Sequence, residues 1–568
     1  MKAGSTVIKN STEPTKSPSR TQNRAIPCFL CFTLFIFFTI FYAINPKSTI
    51  TEPVSTNLPS TSLLNPSLKS TGFSLSLSTD STAFHHLLEL SINHTINLIS
   101  ITHPKIIQFF SNKELKSQEN IALNDCLDML DQTLYELGQA IDDLLVSRRY
   151  SYGFYGNLKT LLSAAMTNER TCIDGFSDFA RTPSGFAPQN RFGSYLEKKL
   201  SPVIRMIGNS LAIIKHLEGM SQDSWVRKSK TRFPPWMTRK ERRMMLGRRI
   251  EFRIRPNVVV AGDGSGDFRT VGEAVKMAPN MSSFRYVIKI KAGIYKENVE
   301  IPRNKVNIML VGDGMNSTVI SGSRSLADGF STFNSATLTV VGDRFTARDL
   351  TIENTATPEK HQAVALRVTA NAAFYRCNFI AYQDTLYAHS LVQLYRECTI
   401  QGTIDFIFGN ALAVFHNCLL LARKPIPGQS NMITAQSRDD PNQNTGFLIH
   451  SCIIRANPEF TGLDQRRFYT FLGRPWRNYS RTVIMKSYLG SLIHYRGWAP
   501  WDQYSDLDTV EYVEYMNFGP GSNTKYRVRW GGYKKNHTDD LTKRFTMGAF
   551  SRISDHWLQG FPLLVHEE

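Results

Sequence analysis

Two kinds of hydrophobic periodicity divide this chain. From about Ala83 to Gly219, apolar residues recur every three or four positions, as at Leu123, Leu127, Leu130 and Leu134, and the stripe continues through Leu137, Ile141 and Leu144. That spacing lays one apolar face along a helix, and few β-branched runs interrupt it, so residues 83–219 read as an all-α bundle. After Val258 the texture changes to short runs parted by polar turns: YVIKI from Tyr286, VNIMLV from Val306, ATLTVV from Ala336 and AVALRV from Ala363. These read as strands, with few helices between them.

The second half also repeats. YRCNFIAY, YRECTIQG, FHNCLLLA and IHSCIIRA begin at Tyr375, Tyr395, Phe415 and Ile449, at spacings of 20, 20 and 34 residues, and ARDLTIEN at Ala347 is a looser copy. A helix-free unit that recurs every twenty-odd residues, with insertions, predicts coils stacked into a parallel β-helix over residues 251–568. In that alignment Cys398, Cys418 and Cys452 stand fourth in their units and Cys377 third, which turns Cys377 to the opposite strand face. Coils stack roughly 4.8 Å apart. A disulfide between Cys398 and Cys418 is therefore expected, with Cys452 a buried thiol. In the bundle, Cys126 and Cys172 are expected to pair in an oxidising compartment.

The ends follow other rules. Ala25–Ile44 runs twenty residues without a charge behind Lys2, Lys9, Lys16, Arg20 and Arg24. It predicts an uncleaved transmembrane signal anchor at 25–44, a cytoplasmic basic tail at 1–24 and a lumenal remainder, as in a type II membrane protein of the Golgi. Residues 45–82, rich in Ser, Thr and Pro, read as a stalk. Sequons at Asn93, Asn280, Asn316, Asn478 and Asn536 agree with the secretory route as glycosylation sites.

At 568 residues and 42 % hydrophobic composition the chain has room for more than one domain, which excludes a single small binding module. The formal charge of +18 is uneven, for Arg227 to Arg249 carries ten basic residues and one acid. Residues 220–250 therefore read as a basic linker, and the pair Arg242–Arg243, followed by Leu246, is open to a processing protease. No stretch looks like a nucleic-acid module. A basic secreted protein suits a polyanionic partner.

The stretch GTIDFIFGNA, Gly402 to Ala411, sets one carboxylate, Asp405, in an apolar run. Asp384, in AYQDTLYAHS, lies 21 residues earlier, one coil period. The two are expected to face each other on adjacent coils, roughly 5–6 Å apart. Carboxylates paired in a partly apolar groove can divide the parts of acid and nucleophile between them. Aspartates in solenoids also cap turns, but the shared period and the nearby amides Gln362 and Gln383 favour the catalytic reading. Strand alternation would send Ile404 and Phe406 away from the face of Asp405 and leave Ile407 on it. Arg474, in YTFLGRPWRNYSRTV, supplies a cation to hold one carboxylate ionised, and Trp476 offers a flat face for a sugar. Tyr382, Tyr387, Phe406, Trp498 and Trp501 read as stack or core residues.

ALNDCLDMLDQTLYELGQAI and LLSAAMTNERTCIDGF resemble the pectinesterase-inhibitor domain, a four-helix bundle, without the further cysteine pair that family carries near its start. GIYKENV, HQAVALRV, AYQDTLY, GTIDFIFGNA, NMITAQSRDDPNQNTG and LGRPWRNYSRTV occur in that order between about Val258 and Pro562 and resemble the plant pectin methylesterases, which are right-handed parallel β-helices. Arg242 to Leu246 resembles the processing motif of the inhibitor-plus-esterase form. The resemblance implies hydrolysis of the methyl esters of homogalacturonan, with Asp405 as nucleophile and Asp384 as proton donor and then base. It makes Gln383, with Gln362, the stabiliser of the oxyanion, and Arg474 the residue that orients Asp405. Trp476, Thr332, Gln362 and Arg474 are the substrate contacts it implies, and intramolecular inhibition by the bundle is a further expectation. With no Gly-x-Ser-x-Gly elbow and no zinc-type Cys or His spacing, no metal or other cofactor is expected. The rivals are another pectin-acting β-helix, a lyase or polygalacturonase, and a catalytically inactive pectin-binding or inhibitor protein.

Overall fold

A computed structural model describes residues 81–146, 152–178, 191–221, 255–460 and 462–535. The anchor segment Ala25–Ile44, the linker with Arg242, Arg243 and Leu246, and Asn536 lie outside them. Among the described residues no helix is long and apolar enough to cross a membrane.

Among the described residues four helices form the N-terminal part: α1 Ser81–Ser111, α2 Ser117–Val146, α3 Tyr152–Asp178 and α4 Arg191–Ser221. The apolar stripe of α2 splits by depth, with Leu130, Leu137 and Leu144 buried and Leu123, Leu127, Leu134 and Ile141 on its flanks. A disulfide joins Cys126 of α2 to Cys172 of α3. The interior also holds acids. Glu136 and Glu169 are fully enclosed, and burial pushes both carboxyls up to about 8. Gln132 Nε2 donates to Glu136 Oε1 at 2.8 Å.

The C-terminal part is three sheets of eleven, seven and eight parallel strands, each strand pairing with its counterpart one coil on. One corner explains the repeat. Asp349, Arg376, Glu397, Asn417, Ser451, Lys486 and Met516 each take a left-handed conformation, φ between 49° and 55°, where the chain leaves the eleven-stranded sheet for the eight-stranded one. A single such residue turns the chain sharply at each coil. Inside, Phe374, Tyr395 and Phe415 stack face to face with centroids 5.1 and 4.8 Å apart. Truncating Tyr395 at the centre of that stack is expected to cost about 3–5 kcal/mol. The short helix Val271–Met277, started by a capping box of Thr270 and Glu273, packs Val271, Ala274 and Val275 onto the core.

The observed register corrects two cysteine expectations. Phe374, not Tyr375, pairs with Tyr395. That shift of one residue puts Cys377 in line with Cys398, Cys418 and Cys452, each directly after the left-handed residue, and all four are buried in one core. Cys398 and Cys418 are free thiols rather than a disulfide. Aligned residues of neighbouring parallel strands project side by side at roughly the 4.8 Å strand spacing. Their Cβ atoms thus stay beyond the roughly 3.5–4.5 Å that a disulfide requires.

Of the sequons, Asn280, Asn316 and Asn478 are exposed and Asn93 is half-buried on α1.

Candidate active site

The two aspartates occupy equivalent turns of successive coils. Asp384 lies between the strands Asn378–Ile380 and Leu386–Ala388, and Asp405 between Thr399–Gly402 and Ile407–Gly409. Leu386 pairs with Ile407, so the acids share one register, and both adopt left-handed backbone, φ 64° and 49°. Asp tolerates that conformation because its short polar side chain can bond locally. The turns are also tied together: Asp384 N donates to Ile404 O at 3.0 Å and Thr403 N to Tyr382 O at 2.8 Å. Gly402 permits the approach, since a Cβ there would fall 2.4 Å from Thr385 Oγ1 and 2.7 Å from Tyr382 O.

Because Asp405 sits in a turn, strand alternation does not run through it, and the expected distribution of its neighbours is corrected. Phe406 and Ile407 both enter the solenoid core, so Ile407 does not share the face of Asp405. Phe408 does the work expected of that face.

Arg474 follows the strand Thr470–Gly473, two strands along the seven-stranded sheet from Ile407–Gly409. Thr434 pairs with Gly473 and Phe408 with Ala435, so Phe408, Ala435 and Arg474 form one outward row. The small Ala435 leaves room for Arg474 to reach back over it. Arg474 Nε donates to Asp405 Oδ1 at 2.8 Å and Nη2 to Oδ2 at 2.5 Å. Burial works against the arginine's charge, but Asp405 outweighs it and holds the guanidinium above its ordinary value.

Gln362 and Gln383 are backbone partners on adjacent coils beside Asp384. Thr332, Trp476, both glutamines, both aspartates and Arg474 all border one cavity. Tyr387 stacks on Phe408 at 4.2 Å, Trp476 on Trp501 at 6.2 Å, and the guanidinium of Arg474 lies 4.3 Å over the ring of Trp501. Tyr387, Phe408 and Trp501 were not singled out from the sequence. The signal existed for two of them: the step from Tyr387 to Phe408 is the same 21 residues that separates the acids. Trp498 is core, stacked on Tyr512 at 4.2 Å.

The bundle closes this groove. Asp125 of α2 and Thr171, Asp174 and Gly175 of α3 complete the cavity wall, leaving about 100 Å³. Ligand pockets start at roughly 300 Å³, so the space left beside the bundle lies below that range. Across the contact Arg477 Nη2 bonds both oxygens of Asp174 at 2.5 and 2.6 Å, Arg170 Nε bonds Asp439 at 2.6 Å, and Thr171 meets His389 at 2.8 Å. Burial, with the charge of Arg367, depresses His389 to about 3, so it meets Thr171 as a neutral ring.

The family described as Pectinesterase matches residues 257–554, and that described as Plant invertase/pectin methylesterase inhibitor matches residues 69–213. Pectinesterase 1 of Citrus sinensis is 43 % identical over 503 residues, covering 84 % of this chain and 82 % of that protein. Pectinesterase/pectinesterase inhibitor U1 of Solanum lycopersicum is 42 % identical over 486 residues, with the same shares of 84 % and 82 %. Among solved structures, pectin methylesterase from carrot is similar at 52 % identity and a TM-score of 0.53, over 54 % of this chain and 96 % of that one. A β-helix with paired aspartates, matched by one family, preceded by a four-helix bundle matched by the other, identifies the chain as a member of the pectinesterase family with an inhibitor-type N-terminal domain.

Proposed function

We propose that this chain is a pectinesterase: it hydrolyses methyl esters of galacturonate in homogalacturonan, giving methanol and demethylated pectin in cell-wall modification. The observation that carries the mechanism is the two-point grip of Arg474 on Asp405, one coil from Asp384. Asp405, gripped and aimed by Arg474, attacks the ester carbonyl carbon. The carbonyl electrons move onto oxygen, where the amides of Gln383 and Gln362 donate; such a donor contributes about 3 kcal/mol. The bond to methoxy oxygen then breaks and Asp384 gives that oxygen its proton, releasing methanol and leaving an acyl group on Asp405. Asp384, now a base, takes a proton from water as the water attacks the acyl carbon. Asp405 departs as carboxylate and the galacturonate is free. Thr332 and the rings of Trp476 and Trp501 border the groove and would hold the sugar.

The closed groove supports a second element: the uncleaved chain is held inactive by α2 and α3, and a processing protease acting in residues 220–250, at Arg242–Arg243 before Leu246, frees the esterase. With the anchor at 25–44, that places the precursor in the Golgi membrane and the catalytic part in the wall.

The test is methanol release from methyl-esterified pectin by the chain before and after cleavage in the linker. Cleaved wild type should be active and cleaved Asp405→Ala inactive while still binding pectin. A cleaved wild type that binds pectin and yields no methanol would establish the inactive pectin-binding rival. Shortening of the polymer would point instead to a lyase or polygalacturonase.

A further inference from the structure

Three successive corners lead from the eight-stranded sheet towards the seven-stranded one, and they differ in what they carry. The first holds Asp384 and the second Asp405; the third, after the strand Leu419–Ala422, begins with Arg423. Gln401 pairs with Ile380 and Ala422 with Gly402, so Tyr382, Thr403 and Arg423 stand in one row on three neighbouring coils. Thr403, in the middle, is small and buried. Arg423 reaches back over it, as Arg474 reaches back over Ala435.

What Arg423 meets there is the entry to the first catalytic turn. Its guanidinium lies 3.7 Å over the ring of Tyr382, Nη2 donates to the Tyr382 hydroxyl at 2.8 Å, and Nη1 donates to Ala381 O at 3.1 Å. Ala381 and Tyr382 directly precede Gln383 and Asp384, both of which border the cavity. Arg423 itself does not line that cavity.

The grip is oriented in its turn. Glu459 accepts from Arg423 Nε at 2.8 Å and from Nη2 at 3.4 Å. The amide of Arg423 donates to Gly402 O at 2.8 Å, which ties its backbone to the strand leading into the Asp405 turn. A planar guanidinium with five donors can hold a carboxylate on one edge while it takes a carbonyl and a hydroxyl with the rest. The turn needs such support. Asp384 sits in left-handed backbone at φ 64°, a conformation that persists outside glycine only where the surroundings over-determine it.

We propose that Arg423 is a positioning residue for ester cleavage. It fixes the turn 381–385 so that the amide of Gln383 meets the developing oxyanion and the carboxyl of Asp384 meets the departing methoxy oxygen. The proposal rests on the pectinesterase reading and gives the site a division of labour: Arg474 aims the nucleophile by direct contact, and Arg423 aims the oxyanion donor and the acid through their backbone.

The test compares the wild-type chain cleaved in its linker with Arg423→Met cleaved in the same way. Methionine keeps an apolar stem beside Tyr382 and removes every donor. The kcat for methanol release is expected to fall about 10- to 100-fold, the scale of a misplacement near 1 Å, while KM changes less than about threefold. In an Asp384→Asn background the same substitution should cost at least about fivefold less, since one of the groups it positions is already lost. Hydrogen exchange across residues 381–385, followed by mass spectrometry, should be at least about tenfold faster in Arg423→Met. If Arg423→Met does not fold, as judged by circular dichroism, Arg423→Lys takes its place and should show a smaller fall in kcat with the same dependence on Asp384. A kcat within about twofold of wild type, a loss confined to KM, an equal loss in both backgrounds, or unchanged exchange at 381–385 overturns the proposal. Methanol release by the cleaved wild type separates the two readings. Its absence, with exchange at 381–385 still dependent on Arg423, removes the esterase reading alone; its presence, with kcat and exchange indifferent to Arg423, removes the positioning role alone.

Discussion

Arg474 holds both carboxylate oxygens of Asp405, from two strands away in the same sheet. A fork of two parallel hydrogen bonds fixes direction as well as charge. The fork therefore fixes the direction in which Asp405 presents its free lone pairs.

Replacing the fork by a point charge tests this. Arg474→Lys keeps the cation and loses the second bond, and kcat for methanol release by the cleaved enzyme is expected to fall about 100-fold, since misplacement by about 1 Å costs that much. Pectin affinity should change far less. An unchanged kcat would mean that something else aims Asp405.

Asp384→Asn keeps the shape of the second acid without its proton. Methanol release should drop by roughly 10²–10⁴-fold, the range for loss of general acid–base catalysis. A drop under about tenfold would assign the proton transfer to another group.

Closure of the groove depends on charge pairs that leave Arg477 beside Trp476. Asp174→Ala removes only the bundle's half of one pair and leaves Arg477 partly buried without it, a change that costs roughly 2–5 kcal/mol of docking. Methanol release by the uncleaved chain should rise at least about tenfold, while the cleaved enzyme is unaffected. An equally silent uncleaved variant would show that the bundle's hold lies elsewhere.

The bundle should weaken as pH rises. Burial raises Glu136 and Glu169 from 4.5 to about 8, so each binds its proton more tightly folded than unfolded. For such groups the folded state is favoured below the unfolded value, and that advantage is lost as pH climbs through the folded one. The midpoint of helical melting, followed by circular dichroism, is expected to fall between about pH 5 and about pH 8. Glu169→Gln should flatten the slope, and a midpoint that rises over this window would contradict the assignment.

Much of this arrangement was legible in the chain because it is periodic. The 21-residue step that pairs Asp384 with Asp405 is a property of the coil, and so is the stripe that makes α2 a helix. What failed was local. One left-handed residue per coil slips the apparent alignment by one position, which misplaced Cys377, and strands of three or four residues end before alternation can be extrapolated through Asp405. The contacts of Asp125 with Ser331 and Asn334 carry no periodic signal at all. They join residues more than 200 positions apart through side chains alone.

The four aligned thiols have a consequence for how the protein is made. On the proposed secretory route the chain travels through an environment that drives thiols to disulfides, yet in the described part only Cys126 and Cys172 are bonded, while Cys377, Cys398, Cys418 and Cys452 stay reduced in the β-helix interior. Before the coils close nothing distinguishes these six sulfurs, and six cysteines admit about fifteen complete pairings. Coil closure therefore competes in time with oxidation. A chain that loses that race is cross-linked between segments that the finished solenoid holds a fixed strand spacing apart, and it cannot stack.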